Sequence, residues 1–259
     1  MSTDPFAVEL CPFPFRPLLK VYQASDVLRE PVRSAYRVVS LGMVDHVSLR
    51  TSAIDRAVGG ALADGAEQVV LLGAGLDARA RRLPALTGRP VFEVDHPATQ
   101  RYKRKKMGEH EGLSYVAVDF ERDDLGERLA SAGFDVGRVT TWVWEGVTMY
   151  LAPQAVEGTL ARLEQLSAPG SRLIATYMVP DAVPFGVVGA HVVRRTFDAI
   201  GEGLRASYER ADMKQLLDQH GFTVLTDSNS TDWAAAADVS AWQTVVMRGE
   251  RLVVARRRP

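Results

Sequence analysis

The sequence predicts an α/β fold with a mostly parallel sheet of seven strands, preceded by helices and interrupted late in the chain by a helical lid insertion. Two observations predict it. From residue 68 onward, short runs rich in β-branched and aromatic residues alternate with helix-like segments, and Gly, Pro or Asp stands at the edge of each run. These runs are mostly apolar throughout, which is typical of parallel strands covered by helices on both faces.

The individual elements follow this alternation in order along the chain. The predicted strands are Gln68–Ala74, Pro90–Asp95, Ser114–Asp119, Thr140–Glu145, Arg172–Val179, Phe222–Thr226 and the final run from Arg251. The predicted helices between them are Ala78–Leu86, Ala98–Gly108, Leu125–Ala132, Pro153–Ser167 and Ala211–His220. The last of these helices stops at Gly221, a residue type that favours a helix C-terminus.

Two further regions complete the predicted organisation. Residues 1–67 contain no clear strand, and helical periodicity over residues 31–62 predicts a helical N-terminal cap beside the sheet. Residues 68–259 are predicted to form the sheet-based core, with the lid insertion at about 180–210. That insertion is apolar and glycine-rich, which suits a lid or the wall of a substrate pocket.

Composition excludes several classes of function. The chain has 259 residues and a formal net charge of −1, which gives no electrostatic argument for nucleic acid or for an anionic membrane surface. The single cysteine, Cys11, cannot form a disulfide framework or a cysteine-rich metal site, and a cytoplasmic protein is expected. The N-terminal stretch has Asp4 near its start instead of a basic run, and prolines interrupt its apolar residues, so it resembles neither a signal peptide nor a membrane span. The five histidines show no metal-ligand spacing, and no metal site is predicted.

Glycines and acids stand where the first four predicted strands end. The first strand runs into Gly73-Ala74-Gly75, and the next three end at Asp95, Asp119 and Glu145. Ligands of open parallel sheets bind beyond the carboxyl ends of the strands, so these residues are expected at one edge. Carboxylates gathered in one crevice repel each other unless a cation or a group rich in hydrogen-bond donors lies among them. The pattern therefore predicts a ligand site.

Two ligands are candidates for this site. The GAGLDA sequence loosely fits the dinucleotide-binding fingerprint, and Asp95 lies 20 residues beyond Gly75, near the spacing of a ribose-binding acid. Asp77 inside the turn and the further acids disfavour a pyrophosphate. S-adenosylmethionine fits better, because it has no phosphate and offers a sulfonium, an ammonium, a ribose diol and an adenine amino group. Asp77 and Arg79 themselves are expected to cap and brace the first helix rather than contact substrate.

Five motifs along the chain match one family in order and spacing. They are VVLLGAGLDARARRL, VFEVDHPATQRYKR, YVAVDFERDDL, AGFD and WEGVTMYL, with HVSLRTSAIDRAV upstream. In these motifs the chain resembles the leucine carboxyl methyltransferase-like family of S-adenosylmethionine-dependent methyltransferases. That family includes the enzyme that methyl-esterifies the C-terminal leucine of a protein phosphatase, and actinobacterial relatives such as polyketide carboxyl O-methyltransferases. The resemblance implies a Rossmann-like class I methyltransferase sheet and S-adenosylmethionine as the cofactor.

The resemblance also implies roles at the amino acid end of the cofactor. Arg50 would hold the methionine carboxylate, which a guanidinium can bind with two hydrogen bonds. Gly73 and Gly75 would let the backbone close on the methionine moiety. Glu145 would pair with the methionine ammonium. The N-terminal cap would thereby contribute to the cofactor site through Arg50.

The nucleoside end of the cofactor has its own implied residues. Asp95 would bind both ribose hydroxyls. Asp119 would accept a hydrogen bond from the adenine amino group, with the backbone of Phe120 alongside.

The acceptor of the methyl group is predicted from the chemistry. A carboxylate, with a pKa of about 4, is ionised at neutral pH and needs no general base, which favours a carboxyl O-methyltransferase. Residues Tyr177, His191, Arg194 and Arg195 are candidates for orienting such an acceptor, and the apolar insertion suggests a hydrophobic small-molecule acid as partner. A hydroxyl or phenol acceptor would instead need a base, for which His191 is the candidate.

Other classes of function stay open. An NAD-dependent oxidoreductase is favoured only by the glycine motif taken alone, and a non-catalytic S-adenosylmethionine-binding protein would share the same cofactor residues. Neither nucleic acid nor a membrane is an expected partner, and an oligomer is possible.

Overall fold

A single mixed sheet forms the centre of the molecule. The computed structural model describes residues 43–119, 122–180, 205–238 and 249–259. The strands are β1 (Gln68–Leu72), β2 (Val91–Asp95), β3 (Leu113–Ala117), β4 (Thr140–Trp144), β5 (Arg172–Met178), β6 (Phe222–Asn229) and β7 (Glu250–Arg257). They pair in the order β3-β2-β1-β4-β5-β7-β6. β1–β5 are parallel and β7 is antiparallel to both of its neighbours, which confirms the predicted mostly parallel seven-stranded sheet.

Helices cover both faces of this sheet. They are α1 (Met43–Ala63), α2 (Arg79–Arg82), α3 (Pro97–Met107), α4 (Leu125–Ser131), α5 (Pro153–Gln165), α6 (Arg210–Gln219) and α7 (Ser230–Ala236), with short 3₁₀ turns at Pro84–Leu86 and Thr148–Tyr150. α1 is the described part of the predicted N-terminal cap. The predicted division into a cap and a core with a lid insertion stays a prediction, since residues 181–204 lie outside the described residues.

Two separate apolar cores hold the helices to the sheet, one on each face. Val70 and Leu72 of β1 point into the core that packs against α4, α5 and α6. Val69 and Leu71 point into the other core, against α1 and α7. Because successive side chains of a strand point to opposite faces, a strand buried on both faces is apolar at every position.

Three predicted boundaries or elements are wrong. The helix predicted over Ala78–Leu86 is broken at Leu83, which is extended (φ −91°, ψ 108°), and a 3₁₀ turn follows at Pro84, whose ring lacks an N–H group. The strand predicted to end at Thr226 continues to Asn229, through an irregularity near Val224. α7 was not predicted at all; it begins with a capping box between Asn229 and Asp232.

The register of the parallel strands brings their carboxyl ends to one edge. Leu72 of β1 is level with Val94 of β2, and Leu71 is level with Val143 of β4. Asp95, the last residue of β2, is level with Ala117, the last residue of β3. Residues that follow these positions therefore share one edge of the sheet, as expected for the glycine turn and the three acids.

Candidate functional site

A tight turn on two glycines connects β1 to α2. Gly73 and Gly75 have φ angles of +62° and +46°, in the left-handed region. A Cβ atom at position 73 would lie 2.6 Å from Cγ2 of Val147, so glycine is required there for space as well as for conformation. At position 75 the nearest atom would be 3.8 Å away, so only the backbone angle favours glycine. The turn thus places bare backbone at the sheet edge.

A polar cavity of about 320 Å³ lies between this turn, α1 and the end of β4. Its lining includes Arg50 of α1, both glycines of the turn, Arg79 and Glu145. Sequence analysis predicted four of these five residues as cofactor-binding. The cavity is the candidate binding site.

Arg50 is anchored at two of its three guanidinium nitrogens. Its Nε donates to Oε1 of Glu145 at 2.9 Å, and its Nη1 donates to both carboxylate oxygens of Glu250 at 2.9 and 3.0 Å. Burial acts to lower the pKa of Arg50, but the two carboxylates raise it overall. Among the described residues, Nη2 has no hydrogen-bond partner, and the side chain is 17% exposed at the cavity. Nη2 is therefore the donor left for a ligand.

Arg79 is a site residue that the sequence analysis missed. Its side chain is 1% exposed and bonds to Asp55 at 2.7 Å, to Glu145 at 2.9 Å and to Asp77. Asp77 also accepts from the backbone N–H of Arg79 at 2.6 Å, so the predicted bracing of the first helix is present. The prediction was incomplete, because the same guanidinium lines the cavity and holds Glu145. The available signal was the position of Arg79 at the start of the helix that follows the glycine turn.

Within the described residues, the charged groups around the cavity form one connected cluster that has more carboxyl than guanidinium groups. Its four carboxyl groups belong to Asp55, Asp77, Glu145 and Glu250, and its three guanidinium groups to Arg50, Arg79 and Arg82. Burial and the neighbouring Glu145 raise the pKa of Asp77, and Arg79 only partly offsets them. A ligand that brings a positive charge would stabilise this carboxylate.

A buried ion pair lies beneath the turn. Nζ of Lys103, on α3, is 2.7 Å from Oε2 of Glu93 on β2, and both side chains are at most 3% exposed. The same ammonium donates to the backbone oxygen of Asp77. Burial raises the pKa of Glu93 to about 7, although Lys103 acts in the opposite direction. Lys103 therefore ties the glycine turn to the neighbouring strand.

Asp95 and Asp119 follow β2 and β3 on the same edge. Asp95 accepts from the backbone N–H of Gly75 at 2.5 Å through Oδ2 and from that of His96 at 2.6 Å through Oδ1. Asp119 lies two residues beyond β3, with its carboxylate 3.7 Å from Nε of Arg122. Asp95 is thus joined to the glycine turn by a hydrogen bond. Neither Asp95 nor Asp119 lines the 320 Å³ cavity itself. Phe120 lies outside the described residues.

Comparison with known proteins identifies the family. The family model described as leucine carboxyl methyltransferase matches residues 1–164 of the chain. The chain belongs to the leucine carboxyl methyltransferase family. This confirms the family expected from the sequence motifs.

Proteins from actinobacteria are similar to this chain over parts of their length. A Mycobacteroides abscessus protein, provisionally named an S-adenosyl-L-methionine-dependent methyltransferase, is 35% identical over 204 residues, covering 74% of this chain and 66% of the relative. A Mycobacterium avium protein with the same provisional name is 42% identical over 143 residues, covering 53% and 46%. The chain thus spans between about half and two thirds of the length of these curated relatives.

Solved structures share the fold of this family member. The crystal structure of a provisionally assigned methyltransferase from Thermobifida fusca aligns with a TM-score of 0.63 at 15% identity, covering 98% of this chain and 93% of that one. At this identity the likeness concerns the fold alone. It confirms the predicted Rossmann-like methyltransferase sheet.

A second cavity of about 340 Å³ adjoins the first cavity of this chain. It shares Leu72 and Gly73 with the first cavity and extends toward the other face of the sheet. Trp144, Val147 and Leu151 give it apolar walls, and the start of α4 closes one side. The two cavities therefore meet at the glycine turn.

The candidates for orienting an acceptor are only partly placed. Tyr177 is fully buried in the sheet core and its hydroxyl donates to Oδ2 of Asp227 at 2.8 Å. It does not line the 320 Å³ cavity. Burial and Asp227 raise the pKa of Tyr177. His191, Arg194 and Arg195 lie outside the described residues, so these roles stay predictions.

The described residues contain neither a candidate membrane span nor a candidate metal site. None of the helices in residues 43–119, 122–180, 205–238 and 249–259 is both long enough and apolar enough to cross a bilayer. In the same ranges, no three His, Cys, Asp or Glu side chains group into a site for a metal ion.

Proposed function

We propose that this chain is an S-adenosylmethionine-dependent methyltransferase that methyl-esterifies a carboxylate of a hydrophobic small molecule. The observation that carries the proposal is the cavity at the glycine turn. As far as the described residues show, it combines bare backbone, one guanidinium nitrogen of Arg50 that has no protein partner, and a cluster with more carboxyl than guanidinium groups. A zwitterionic amino acid that also bears a sulfonium matches this set of groups.

The residues of the first cavity fit the amino acid end of the cofactor. Nη2 of Arg50 is the donor for the carboxylate, because Nε and Nη1 are held by Glu145 and Glu250. Glu145 accepts from two arginines, yet each of its oxygens keeps a lone pair that an ammonium can use. The left-handed glycines let the backbone approach closely.

The nucleoside end is supported by the neighbouring residues. Both oxygens of Asp95 already accept from backbone N–H groups, which fixes the carboxylate and leaves lone pairs for a ribose diol. The second cavity, with the side chain of Trp144 in its lining, suits the flat apolar face of adenine. The loop that carries Asp119 leads into α4 at the side of this cavity, in line with a contact to the adenine amino group.

The reaction needs alignment rather than acid–base chemistry from the chain. When bound, S-adenosylmethionine supplies a methyl group activated by its own sulfonium charge. Arg50, Glu145 and Asp95 would hold the cofactor in one orientation, so the acceptor can approach in line. Of the histidines within the described ranges, none lines the cavity, which favours an acceptor that is already ionised. A carboxylate with a pKa of about 4 meets that condition.

A methyl-transfer assay tests the proposal. The chain is incubated with S-adenosylmethionine labelled in its methyl group and with hydrophobic carboxylic acids or the matching alcohols and phenols. We expect product only from the acids, and labelled methanol on mild alkaline hydrolysis, because esters are base-labile. Turnover should be nearly flat from about pH 6 to 8, since the acid stays ionised there.

Variants and other products separate the remaining hypotheses. Glu145→Gln should abolish most turnover, whereas Glu164→Gln, a partly exposed carboxylate on α5, should not change it. Base-stable product from phenols alone would contradict the carboxyl assignment and favour the alternative in which His191 is a base. Cofactor binding without turnover on any acceptor would favour a non-catalytic binding protein. Membership of the methyltransferase family disfavours the oxidoreductase alternative.

A further inference from the structure

Glu250 is a buried carboxylate that sequence analysis did not single out. It is the first residue of β7 and is 0% exposed. Its two oxygens accept from Nη1 of Arg50 at 2.9 and 3.0 Å, and Oε2 lies 2.5 Å from Nε2 of His46. Both partners belong to α1, 204 and 200 residues earlier in the sequence. A buried charge with this many partners has a specific structural task.

The task follows from what the contacts leave free. An arginine side chain has several rotatable bonds and loses much conformational freedom when it is fixed. The bonds from Nε to Glu145 and from Nη1 to Glu250 hold the planar guanidinium at two points, which sets its plane and its direction. Among the described residues this leaves only Nη2 without a partner, on a side chain that lines the cavity. Without Glu250, the guanidinium plane of Arg50 could turn about the Cδ–Nε bond. The direction of Nη2 would then not be defined.

His46 in turn fixes Glu250. The His46 ring is 1% exposed and lies 5.6 Å from the ring of Trp233 on α7. Its Nδ1 has no hydrogen-bond partner within the described residues, so the tautomer with the proton on Nε2 is favoured and Nε2 donates to Glu250. Burial opposes ionisation of Glu250, but the hydrogen bond from His46 and the charge of Arg50 lower its pKa overall.

We propose that Glu250, held in place by His46, is a positioning residue that aims Nη2 of Arg50 at the carboxylate of the methionine moiety. This rests on the proposed function, since it concerns the same cofactor. The effect is specific to one end of the ligand. Glu250 should matter for ligands that carry the carboxylate and should not matter for ligands that lack it.

Calorimetry with two ligands tests this inference. S-adenosylhomocysteine carries the amino acid group, whereas 5′-methylthioadenosine keeps only the nucleoside and the thioether. Glu250→Gln should weaken binding of S-adenosylhomocysteine about tenfold, as removal of an orienting partner of a ligand-binding side chain typically does. Binding of 5′-methylthioadenosine should stay within about twofold of the wild type. Equal weakening of both ligands, or of neither, would overturn the inference.

A matched control excludes a general loss of stability. Asp227→Asn removes a partly buried carboxylate on β6. This carboxylate pairs at 2.7 Å with Arg251 of β7, the residue next to Glu250. It should lower thermal stability but leave both affinities unchanged. Failure of the wild type to bind S-adenosylhomocysteine would contradict the proposed function itself, and is thus distinguishable from failure of this inference.

His46 supplies a second, independent test if Glu250→Gln does not fold. His46→Leu removes the hydrogen-bond donor to Glu250. It should weaken binding of S-adenosylhomocysteine several-fold and leave binding of 5′-methylthioadenosine unchanged. His46→Gln keeps an N–H donor on a side chain of similar reach and should recover most of the affinity. Equal affinities of the two variants for S-adenosylhomocysteine would contradict the assigned role.

Discussion

At the residue scale, the site depends on how the three nitrogens of the Arg50 guanidinium are divided between two carboxylates and a ligand. Arg50 donates from Nε to Glu145 and from Nη1 to Glu250, and in the proposed function Nη2 is left to bind the carboxylate of the ligand. The planar fork of donors makes this division possible, because each nitrogen points in a different fixed direction. A lysine ammonium is a point charge on a flexible stem and has no such geometry.

Arg50→Lys should therefore keep the charge and lose the function. We expect binding of S-adenosylhomocysteine to fall by roughly 10- to 100-fold, corresponding to about 1.4–2.8 kcal/mol. Isothermal titration calorimetry measures this directly. Arg56→Lys, an exposed position on the same helix, is the control and should bind as the wild type does. Affinity within twofold in both variants would mean that Arg50 does not contact the ligand.

The two glycines of the turn make a second residue-scale prediction. Gly73→Ala combines a left-handed backbone with a Cβ atom placed 2.6 Å from Val147, whereas Gly75→Ala meets nothing within 3.8 Å. We expect the free energy of unfolding to fall by about 2–4 kcal/mol for Gly73→Ala and by about 1–2 kcal/mol for Gly75→Ala. Urea denaturation measures both.

The steric part of that loss has its own check. Adding Val147→Ala to Gly73→Ala should recover part of the stability, because the methyl group that the new Cβ would meet is gone. No difference between Gly73→Ala and Gly75→Ala would show that Val147 relaxes freely and that the close approach has no energetic consequence.

At the element scale, the glycine turn is held by the strand and helix that follow it. Lys103 of α3 bonds to Glu93 of β2 and to the backbone of Asp77. Burying the pair requires each charge to compensate the other, since an unpaired charge in the core is strongly destabilising. The raised pKa of Glu93, about 7, shows that the pairing offsets burial only in part.

This pair predicts a pH dependence of stability. Between its ordinary pKa of 4.5 and its folded pKa of about 7, Glu93 keeps a proton in the folded state that the unfolded state has released. The folded state is therefore favoured by this group at low pH, and the contribution is lost as the pH rises to about 7. The change is on the order of 3 kcal/mol.

Comparison with Glu93→Gln isolates the contribution of this one group. The free energy of unfolding of the wild type minus that of Glu93→Gln should fall as the pH rises from about 4.5 to 7, and then stay level. Urea denaturation at a series of pH values gives both curves. If the difference in free energy of unfolding rises with pH instead, the folded state favours the ionised form of Glu93.

The elements differed in how far the sequence predicted them. β1 to β5 were predictable within two residues, because apolar runs bounded by Gly, Pro or Asp determine both their place and their burial. The end of β6 and all of α7 were not, since Asp227-Ser228-Asn229 has the composition of a turn but pairs with β7 through Arg251. There, contacts with a distant strand override local preference.

The site shows the same division. The residues of the glycine turn and the acids at strand ends were predictable, because a parallel sheet brings strand ends together in a known way. Arg79 and Glu250 were not recognised, because their roles depend on partners 66 and 200 residues away. Glu145 was predicted only as a partner of the methionine ammonium, but its carboxylate also bridges two arginines.

At the scale of the whole molecule, one cluster of charges joins the first described helix to the last strand. α1 contributes His46, Arg50 and Asp55, β4 leads into Glu145, and β7 begins with Glu250. The first described helix and the beginning of the last strand therefore meet beside the cavity. Binding of a ligand there should stabilise the folded protein as a whole, by mass action.

The central claim is that this edge of the sheet binds a ligand that carries a positively charged amino group and no phosphate. Calorimetric titration of the wild-type chain with S-adenosylhomocysteine and, separately, with NADH tests it most directly. We predict saturable binding of S-adenosylhomocysteine and none of NADH, because Asp77 and Glu145 would repel a pyrophosphate at the glycine turn. Binding of NADH in preference to S-adenosylhomocysteine would contradict the account.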